Sequence, residues 1–254
     1  MGIISIQKGL AKGVLNAPPS KSYAHRYLTA SFLASLHSNK PIKVSNIELS
    51  EDISATLDSI KALGGIFKIG NGDIIFEPCT LRQQSNVPDI LNCRESGSTL
   101  RFFIPIALAL YGEGTFAGSE KLISRGIGPY ETIFSEKGIK HSKSASKIEI
   151  YGALQSGDYI VDGSISSQFI TGLLFALPLL DGNSHIQILP PVTSLPYIQI
   201  TLDVLKHFGI DAKFCDNNID IPGNQHYTAI DSICEGDWSN AAFLHLFNHI
   251  GGDV

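Results

Sequence analysis

The stretch that decides the fold is PPSKSYAHRYLTASFLASL, residues 18–36, in which a small, hydroxyl-rich turn runs directly into an apolar helix. Two later stretches repeat this plan, RESGSTLRFFIPIALAL at 94–110 and GSISSQFITGLLFALPLL at 163–180. Each predicted helix is apolar on nearly every side, which is typical of a helix buried in a protein interior. The three stretches therefore predict an internal repeat with three buried helices.

A second predicted helix ends at a glycine in each repeat, namely Gly64, Gly138 and Gly209. Beyond each glycine lies a short segment that resembles a hairpin, as in KIGNGDIIFE at 68–77, where Asn-Gly is a strong turn signal. Such strands can face water on one side. We therefore predict an α+β (α/β) fold of three helix-and-sheet units around a common axis, with the helices buried and the sheets outside.

A fourth helix start, EGDWSNAAFLHLFNHIGG at 235–252, has no sheet segment after it in the sequence. An apolar helix face needs a partner against which to pack. We therefore predict a domain of three repeats at 18–234 and the start of a truncated second domain at 235–254, which we expect to be poorly anchored or docked opportunistically. Residues 1–17 are predicted to be a strand region that belongs with that second domain.

Composition narrows the class of protein. The 254 residues are 43% hydrophobic and 17% charged, with a formal net charge of -5. These values are typical of a globular protein that binds small molecules, and not of a protein that binds nucleic acid or a membrane. The four cysteines contain no CxxC pair, and Leu246 stands between His245 and His249 where a zinc helix needs Glu, so no metal site is predicted. The first residues lack a secretory signal, and we expect a cytoplasmic monomer, although an exposed face could also self-associate.

The starts of the three repeated helices are candidate anion sites, because a helix N-terminus offers free N–H groups and a positive dipole end. A serine or threonine there is often only an N-cap. Hydroxyl-rich helix starts recur at three related positions, and the first also carries the cations Lys21 and Arg26. This recurrence favours an anion-binding platform at which the three helix starts converge. The candidate groups are Ser20, Lys21, Ser22 and Arg26 in the first unit, Gly97, Ser98 and Thr99 in the second, and Ser166, Ser167 and Gln168 in the third.

These stretches also resemble the signature segments of one family. PPSKSYAHR is similar to its Pro-Gly or Pro-Pro pair followed by Ser-Lys-Ser and an arginine, and ESGSTLR to its Asn-Ala-Gly-Thr loop. DGSISSQF is similar to its Ser-Ser-Gln segment, TSLPYI to its Ser-x-Pro-Tyr segment, and EKLISRGIG to the stretch whose arginine meets phosphoenolpyruvate. In this order, through almost the whole chain, the segments resemble the EPSP synthase family.

The resemblance implies an enolpyruvyl transferase-like domain of three units, each with helices and a four-stranded sheet. It implies transfer of the carboxyvinyl group of phosphoenolpyruvate to 3-phosphoshikimate, without a cofactor, in the shikimate pathway of aromatic amino-acid biosynthesis. In the family, the acidic residues proposed for proton transfer, and further phosphoenolpyruvate ligands, come from a second domain beyond residue 254. We therefore expect this chain alone to bind substrate without turnover.

Two overlapping sets of substrate-binding residues follow from the resemblance. Lys21 is in both sets and is the implied catalytic residue, since a lysine supplies a point charge and can assist proton transfer. The alternative for Arg125 is a solvated loop charge, and for Tyr197 a core aromatic ring. The implied residues are Lys21, Ser22, Arg26, Ser166, Ser167, Gln168, Ser194 and Tyr197 for 3-phosphoshikimate, and Lys21, Gly97, Ser98, Arg125 and Gln168 for phosphoenolpyruvate.

One residue departs from the family pattern. Glu95 stands where many relatives have Asn, which places a negative charge beside an anion site. Arg94 or Arg101 could neutralise it, and Arg101 is expected to support the loop and not to touch ligand.

Two other functions fit parts of the pattern. The UDP-N-acetylglucosamine enolpyruvyl transferase shares the fold, but it usually carries a reactive cysteine in the loop corresponding to residues 118–125, which here contains none. The other alternative is a non-catalytic module that binds a phosphate ligand.

Overall fold

The computed structural model describes residue 5 and the ranges 12–81 and 88–253. Within these ranges the helices are α1 (Lys21–Ser35), α2 (Glu51–Ala62), α3 (Gly97–Tyr111), α4 (Glu120–Ser124), α5 (Gly128–Lys137), α6 (Ser167–Ala176), α7 (Leu195–His207) and α8 (Trp238–His249). The strands are β1 (Ile42–Ser45), β2 (Ile66–Ile69), β3 (Asp73–Glu77), β4 (Leu91–Asn92), β5 (Glu113–Ala117), β6 (Lys140–Lys143), β7 (Lys147–Tyr151), β8 (Gly157–Asp162), β9 (Ser184–Leu189), β10 (Lys213–Cys215), β11 (Asn218–Ile221) and β12 (Ser232–Ile233).

The described strands form three four-stranded sheets that share one plan, with strand orders β12-β1-β3-β2, β4-β5-β7-β6 and β8-β9-β11-β10. In each sheet the first two strands are parallel and the remaining pairs are antiparallel. The predicted hairpins β2–β3, β6–β7 and β10–β11 are present. The prediction of three helix-and-sheet units with four strands each is confirmed.

The first sheet is completed by a strand from the far end of the described domain. In the second and third units the parallel edge strand directly precedes the buried helix, but in the first unit β12 takes this position, with Val44 opposite Ser232. Without β12, this edge of β1 would carry unpaired backbone groups. The pairing joins the first and last units, and the repeat pattern alone did not predict it.

Helices α1, α3 and α6 form the interior, as predicted. In α1, the side chains of Leu28, Phe32 and Leu33 are fully buried. Helix α3 packs against α6, while α2 packs against α1 and α3, and α7 packs against α1 and α6. The strands alternate instead: β3 buries Ile74 and Phe76 and leaves its other residues partly exposed. The core therefore lies between the helices and the inner faces of the sheets.

The second helix of each unit stops at the predicted glycine. Gly64, Gly138 and Gly209 have φ values of +91°, +69° and +77°, in the left-handed region that residues with a Cβ rarely adopt. In α2, the apolar stripe formed by Ile53, Leu57 and Ile60 is buried. Each glycine thus ends a helix and turns the chain into its hairpin.

The segments on either side of the predicted domain lie beside each other. Residue 19 pairs with residue 236, and residue 12 with residue 253, in isolated bridges. None of the α8 residues is buried, and Trp238 is 72% exposed. The division into 1–17, 18–234 and 235–254 stays a prediction.

Helix α6 packs tightly against α3 at Gly172. A Cβ at this position would collide with the carbonyl oxygen of Arg101 and the hydroxyl of Tyr130. We predict that Gly172→Ala lowers the free energy of unfolding by about 1–3 kcal/mol, as overpacking of a core does. The change in the free energy of unfolding is measured by urea unfolding. Gly128→Ala is the matched control, since its Cβ would meet nothing within 4 Å, and equal stability of the two variants would contradict the prediction.

Candidate substrate-binding site

Four helix N-termini meet at one cavity of about 320 Å³. The helices are α1, α3, α6 and α7, so all three repeated helix starts contribute, as the platform prediction required. The lining residues are Lys21, Ser22, His25, Arg26, Ser98, Phe102, Ser166, Ser167, Gln168, Ser194 and Tyr197. All eight residues implied for 3-phosphoshikimate are therefore brought together.

The helices that start at the cavity differ from α2, α4 and α5 in their first turns. Helices α1, α3, α6 and α7 carry no acidic residue there. By contrast, α2 begins with Glu51 and Asp52, and α4 and α5 contain Glu120 and Glu131 in their first turns. An acidic side chain in the first turn compensates the helix dipole. The cavity thus faces four positive helix ends that carry no such compensation.

Arg26 is a buried cation held almost entirely by neutral groups. Its Nε donates to Thr201 Oγ1 at 2.8 Å, and its terminal nitrogens donate to Ser22 O at 2.8 Å, Tyr197 O at 3.1 Å and Thr171 Oγ1 at 3.3 Å. Burial lowers the pKa of Arg26 to about 10. A guanidinium has five N–H donors, so these four bonds leave one for a ligand in the cavity.

Lys21 lies at the mouth of the cavity in an exposed ion pair. Its Nζ is 2.9 Å from Asp52 Oδ2, and its side chain remains 55% exposed. An exposed pair of this kind contributes little to stability. The carboxylate holds the ammonium towards α2, and an ammonium has three N–H donors, so two remain for other contacts. Sequence reasoning missed Asp52, whose position in the first turn of α2 gave no signal of this contact.

Gln168 links the second and third helix starts. Its Nε2 donates to Ser98 Oγ at 2.9 Å, and its Oε1 accepts from Arg101. Ser166 caps α6 by accepting from the backbone N–H of Gln168 at 3.3 Å. Arg101 also lies over the ring of Phe169, at 4.8 Å from the centroid. Arg101 thus orients Gln168 from outside the lining, which agrees with the supporting role expected for it.

The start of α7 brings two further predicted residues to the cavity. The Ser194 side chain makes no capping bond to its own helix, so its hydroxyl is not committed there. Tyr197 is 45% exposed, and its carbonyl accepts from Arg26. The alternative of a core aromatic is therefore wrong for Tyr197.

Two residues implied for phosphoenolpyruvate, Gly97 and Arg125, are not among those lining the cavity. Arg125 ends α4 and is exposed, as a solvated loop charge would be. Burial lowers the pKa of Arg101, and the charge of Arg125 contributes to the lowering as a smaller cause. A Cβ at Gly97 would lie 3.1 Å from Arg101 Nη1. Gly97 therefore lies beside Arg101, and Arg125 is an exposed residue outside the cavity lining.

Neither of the two arginines suggested as partners is paired with Glu95 in the described part of the chain. Arg94 donates instead to Glu51 at 2.6 Å and Asp58 at 2.7 Å, and Arg101 is occupied by Gln168. Glu95 is exposed. Because the carboxylate is exposed to solvent, its charge beside the helix start is screened by water.

His25 also lines the cavity, although sequence reasoning did not name it as a site residue. The ring is buried, and its Nδ1 lies 2.7 Å from Thr56 Oγ1. Burial lowers the pKa of His25 to about 3, while nearby Asp52 acts in the opposite direction and Arg26 and Lys21 reinforce the lowering. His25 is therefore neutral near pH 7. Its ring edge also meets Phe102, the other cavity residue that sequence reasoning missed.

The described ranges hold no cluster of three or more His, Cys, Asp or Glu that could bind a metal ion. Across the same ranges, no helix combines the length and the apolar character needed to cross a membrane.

Fold and cavity together define an α+β domain of three repeated units with a cationic cavity at converging helix N-termini. Residues 6–254 match the family model described as EPSP synthase (3-phosphoshikimate 1-carboxyvinyltransferase). The chain belongs to this family.

Curated relatives carry the same description. The chain is 40% identical over 262 residues to a 3-phosphoshikimate 1-carboxyvinyltransferase of Clostridium kluyveri, with 100% of this chain and 59% of the relative covered. It is 40% identical over 248 residues to that of Clostridium perfringens, with 96% and 57% covered. The chain thus spans less than two thirds of the length of these relatives.

Solved structures support the fold. An EPSP synthase from Acinetobacter baumannii has a TM-score of 0.73 at 20% identity, over 92% of this chain and 52% of that chain. A second structure of EPSP synthase from the same organism gives 0.72 at 21% identity, with the same coverage. At this identity the likeness concerns the fold alone.

The buried neutral His25 makes stability depend on pH. The unfolded chain binds a proton at this residue below about pH 6.5, and the folded chain only near pH 3, so acid favours unfolding. We predict that His25 alone lowers the free energy of unfolding by about 2 kcal/mol between pH 8 and pH 5. Urea unfolding at both pH values, compared with His25→Asn, measures this difference. An identical pH dependence in the two proteins would contradict it.

Proposed function

We propose that this chain supplies the 3-phosphoshikimate-binding part of a 3-phosphoshikimate 1-carboxyvinyltransferase. The whole protein would transfer the carboxyvinyl group of phosphoenolpyruvate to the 5-hydroxyl of 3-phosphoshikimate through a tetrahedral intermediate, with release of phosphate. The family membership and the cavity support this proposal. The chain alone is proposed to bind 3-phosphoshikimate without turnover.

The observation that carries the proposal is the uncompensated positive charge of the cavity. Arg26 is buried, and its hydrogen-bond partners are all neutral hydroxyl or carbonyl oxygens. A buried charge is costly unless an opposite charge accompanies it. Four helix N-termini add positive potential at the same cavity. A small ligand with both a phosphate and a carboxylate, such as 3-phosphoshikimate, would balance this charge.

The hydroxyls suit the other features of such a ligand. Ser166 and Ser167 open α6 beside Ser22 of α1, and Ser194 opens α7. Backbone N–H groups and hydroxyls at helix starts are strong donors to phosphate oxygens. We assign these serines, with Arg26, Gln168 and Tyr197, to 3-phosphoshikimate.

Phosphoenolpyruvate is assigned to the neighbouring cations. Lys21 is proposed to contact both substrates from the mouth of the cavity and to assist proton transfer, because its ammonium is accessible. Gly97, Ser98 and Gln168 would contact phosphoenolpyruvate, with Arg125 placed to pair with its charged groups. Fixed cations of this kind act most strongly in a site from which water is excluded. The acidic groups for proton transfer are proposed to come from the remainder of the longer protein.

The assignment of Lys21 can be tested by calorimetry. We predict that Lys21→Met weakens the binding of 3-phosphoshikimate to the 254-residue chain by about 10- to 100-fold, the effect of losing one charge-assisted contact. Lys43→Met is the matched control, since Lys43 also forms an exposed ion pair, 3.5 Å from Asp73, outside the cavity lining. Its affinity should equal that of the unchanged chain.

Two results would contradict the proposed function. No binding of 3-phosphoshikimate by the unchanged chain would reject the pocket assignment. Full turnover by this chain alone would reject the proposal that it binds 3-phosphoshikimate without turnover. Arg26→Ala should abolish binding, and its urea unfolding curve must accompany the result, because Arg26 also joins α1 to α6 and α7.

A further inference from the structure

A buried chain of hydroxyl groups runs from His25 to the start of α3. His25 Nδ1 lies 2.7 Å from Thr56 Oγ1, which lies 2.9 Å from Thr99 Oγ1. Thr99 in turn donates to Ser96 Oγ at 2.8 Å. The chain joins α1, α2 and the N-cap of α3, and all four residues are buried.

The direction of these hydrogen bonds fixes the tautomer of His25. A threonine hydroxyl carries one hydrogen. The Thr56–Thr99 contact alone allows either hydroxyl to donate, but Thr99 has a closer acceptor in Ser96 Oγ at 2.8 Å, and we assign its hydrogen to that bond. Thr56 must then donate to Thr99, and its oxygen accepts from His25. The ring nitrogen that carries the hydrogen is therefore Nδ1.

The second ring nitrogen is left with a free lone pair. Within the described residues Nε2 of His25 has no hydrogen-bond partner, and it is not among the polar side-chain atoms sealed from solvent. His25 lines the cavity beside Arg26, Ser22 and Ser167. With the hydrogen on Nδ1, Nε2 is the acceptor of a ring that lines the cavity, whose other polar side chains are cations, hydroxyls and the Gln168 amide.

We propose that His25 is a specificity-determining residue that accepts a hydrogen bond from a hydroxyl of the bound ligand. A neutral lone pair repels the oxygens of a phosphate or carboxylate but accepts from a hydroxyl. His25 therefore selects ligands that combine an anionic group with a hydroxyl-bearing ring, and it fixes which part of the ligand enters this corner of the cavity. For 3-phosphoshikimate as the ligand, this inference rests on the function proposed above.

The tautomer can be tested in the ligand-free protein by long-range ¹H–¹⁵N correlation spectroscopy of the histidine rings. We expect His25 to show a protonated Nδ1 and an unprotonated Nε2 between pH 5 and pH 8. Thr56→Val removes the acceptor for Nδ1 and should allow the other tautomer, whereas Thr56→Ser keeps the acceptor and should not. A protonated Nε2 in the unchanged chain would overturn the inference, whatever the ligand.

The binding test compares 3-phosphoshikimate with sulfate, an anion without a hydroxyl, which is measured by competition. We expect Thr56→Val to weaken 3-phosphoshikimate binding by about tenfold, with sulfate affinity and the binding by Thr56→Ser unchanged. Equal loss for both anions would show a general effect on the cavity and would overturn the inference. Equal 3-phosphoshikimate affinity of Thr56→Val and the unchanged chain would overturn it as well. Failure of the unchanged chain to bind 3-phosphoshikimate would reject the proposed function, while the spectroscopic result would still decide the tautomer.

Discussion

The guanidinium of Arg26 joins the first repeated unit to the third. It donates to its own helix α1 through Ser22, to α6 through Thr171 and to α7 through Thr201 and Tyr197. Because all of these partners are neutral, the contacts orient the cation without cancelling its charge. The same side chain therefore fixes the packing of the helices and leaves a positive charge in the cavity between them.

The remaining polar contacts of the site also join helices of different units. Gln168 connects the helix starts of the second and third units through Ser98 and Arg101, and His25 connects the first and second through Thr56 and Thr99. Each pair of repeated helices is thus joined by a buried or half-buried polar contact near its N-termini. The polar contacts are the structural basis of the convergence, because they set the helix starts against one cavity.

Much of the fold could be read from the sequence because it depends on local patterns. The apolar helices, the glycines that end the second helices and the Asn-Gly hairpin each have a signature within a few residues. The contribution of β12 to the first sheet has no such signature, since it depends on two segments almost a full domain apart in the sequence. The ion pairs of Arg94 with Glu51 and Asp58 were not predicted for a similar reason, because Arg94 belongs to the second unit and the two carboxylates belong to the first.

The sequence by itself determined the three repeated units, the residues at their helix starts and the resemblance to a family, because short motifs carry all three. Only the tertiary structure decided which of these residues face one another. It placed the eight residues implied for 3-phosphoshikimate around one cavity, left Gly97 and Arg125 outside the lining, and gave His25 a hydrogen-bond partner on another helix. The physical reason is that charge balance and tautomer depend on distances of a few ångströms between helices, and those distances are set by how the three units pack.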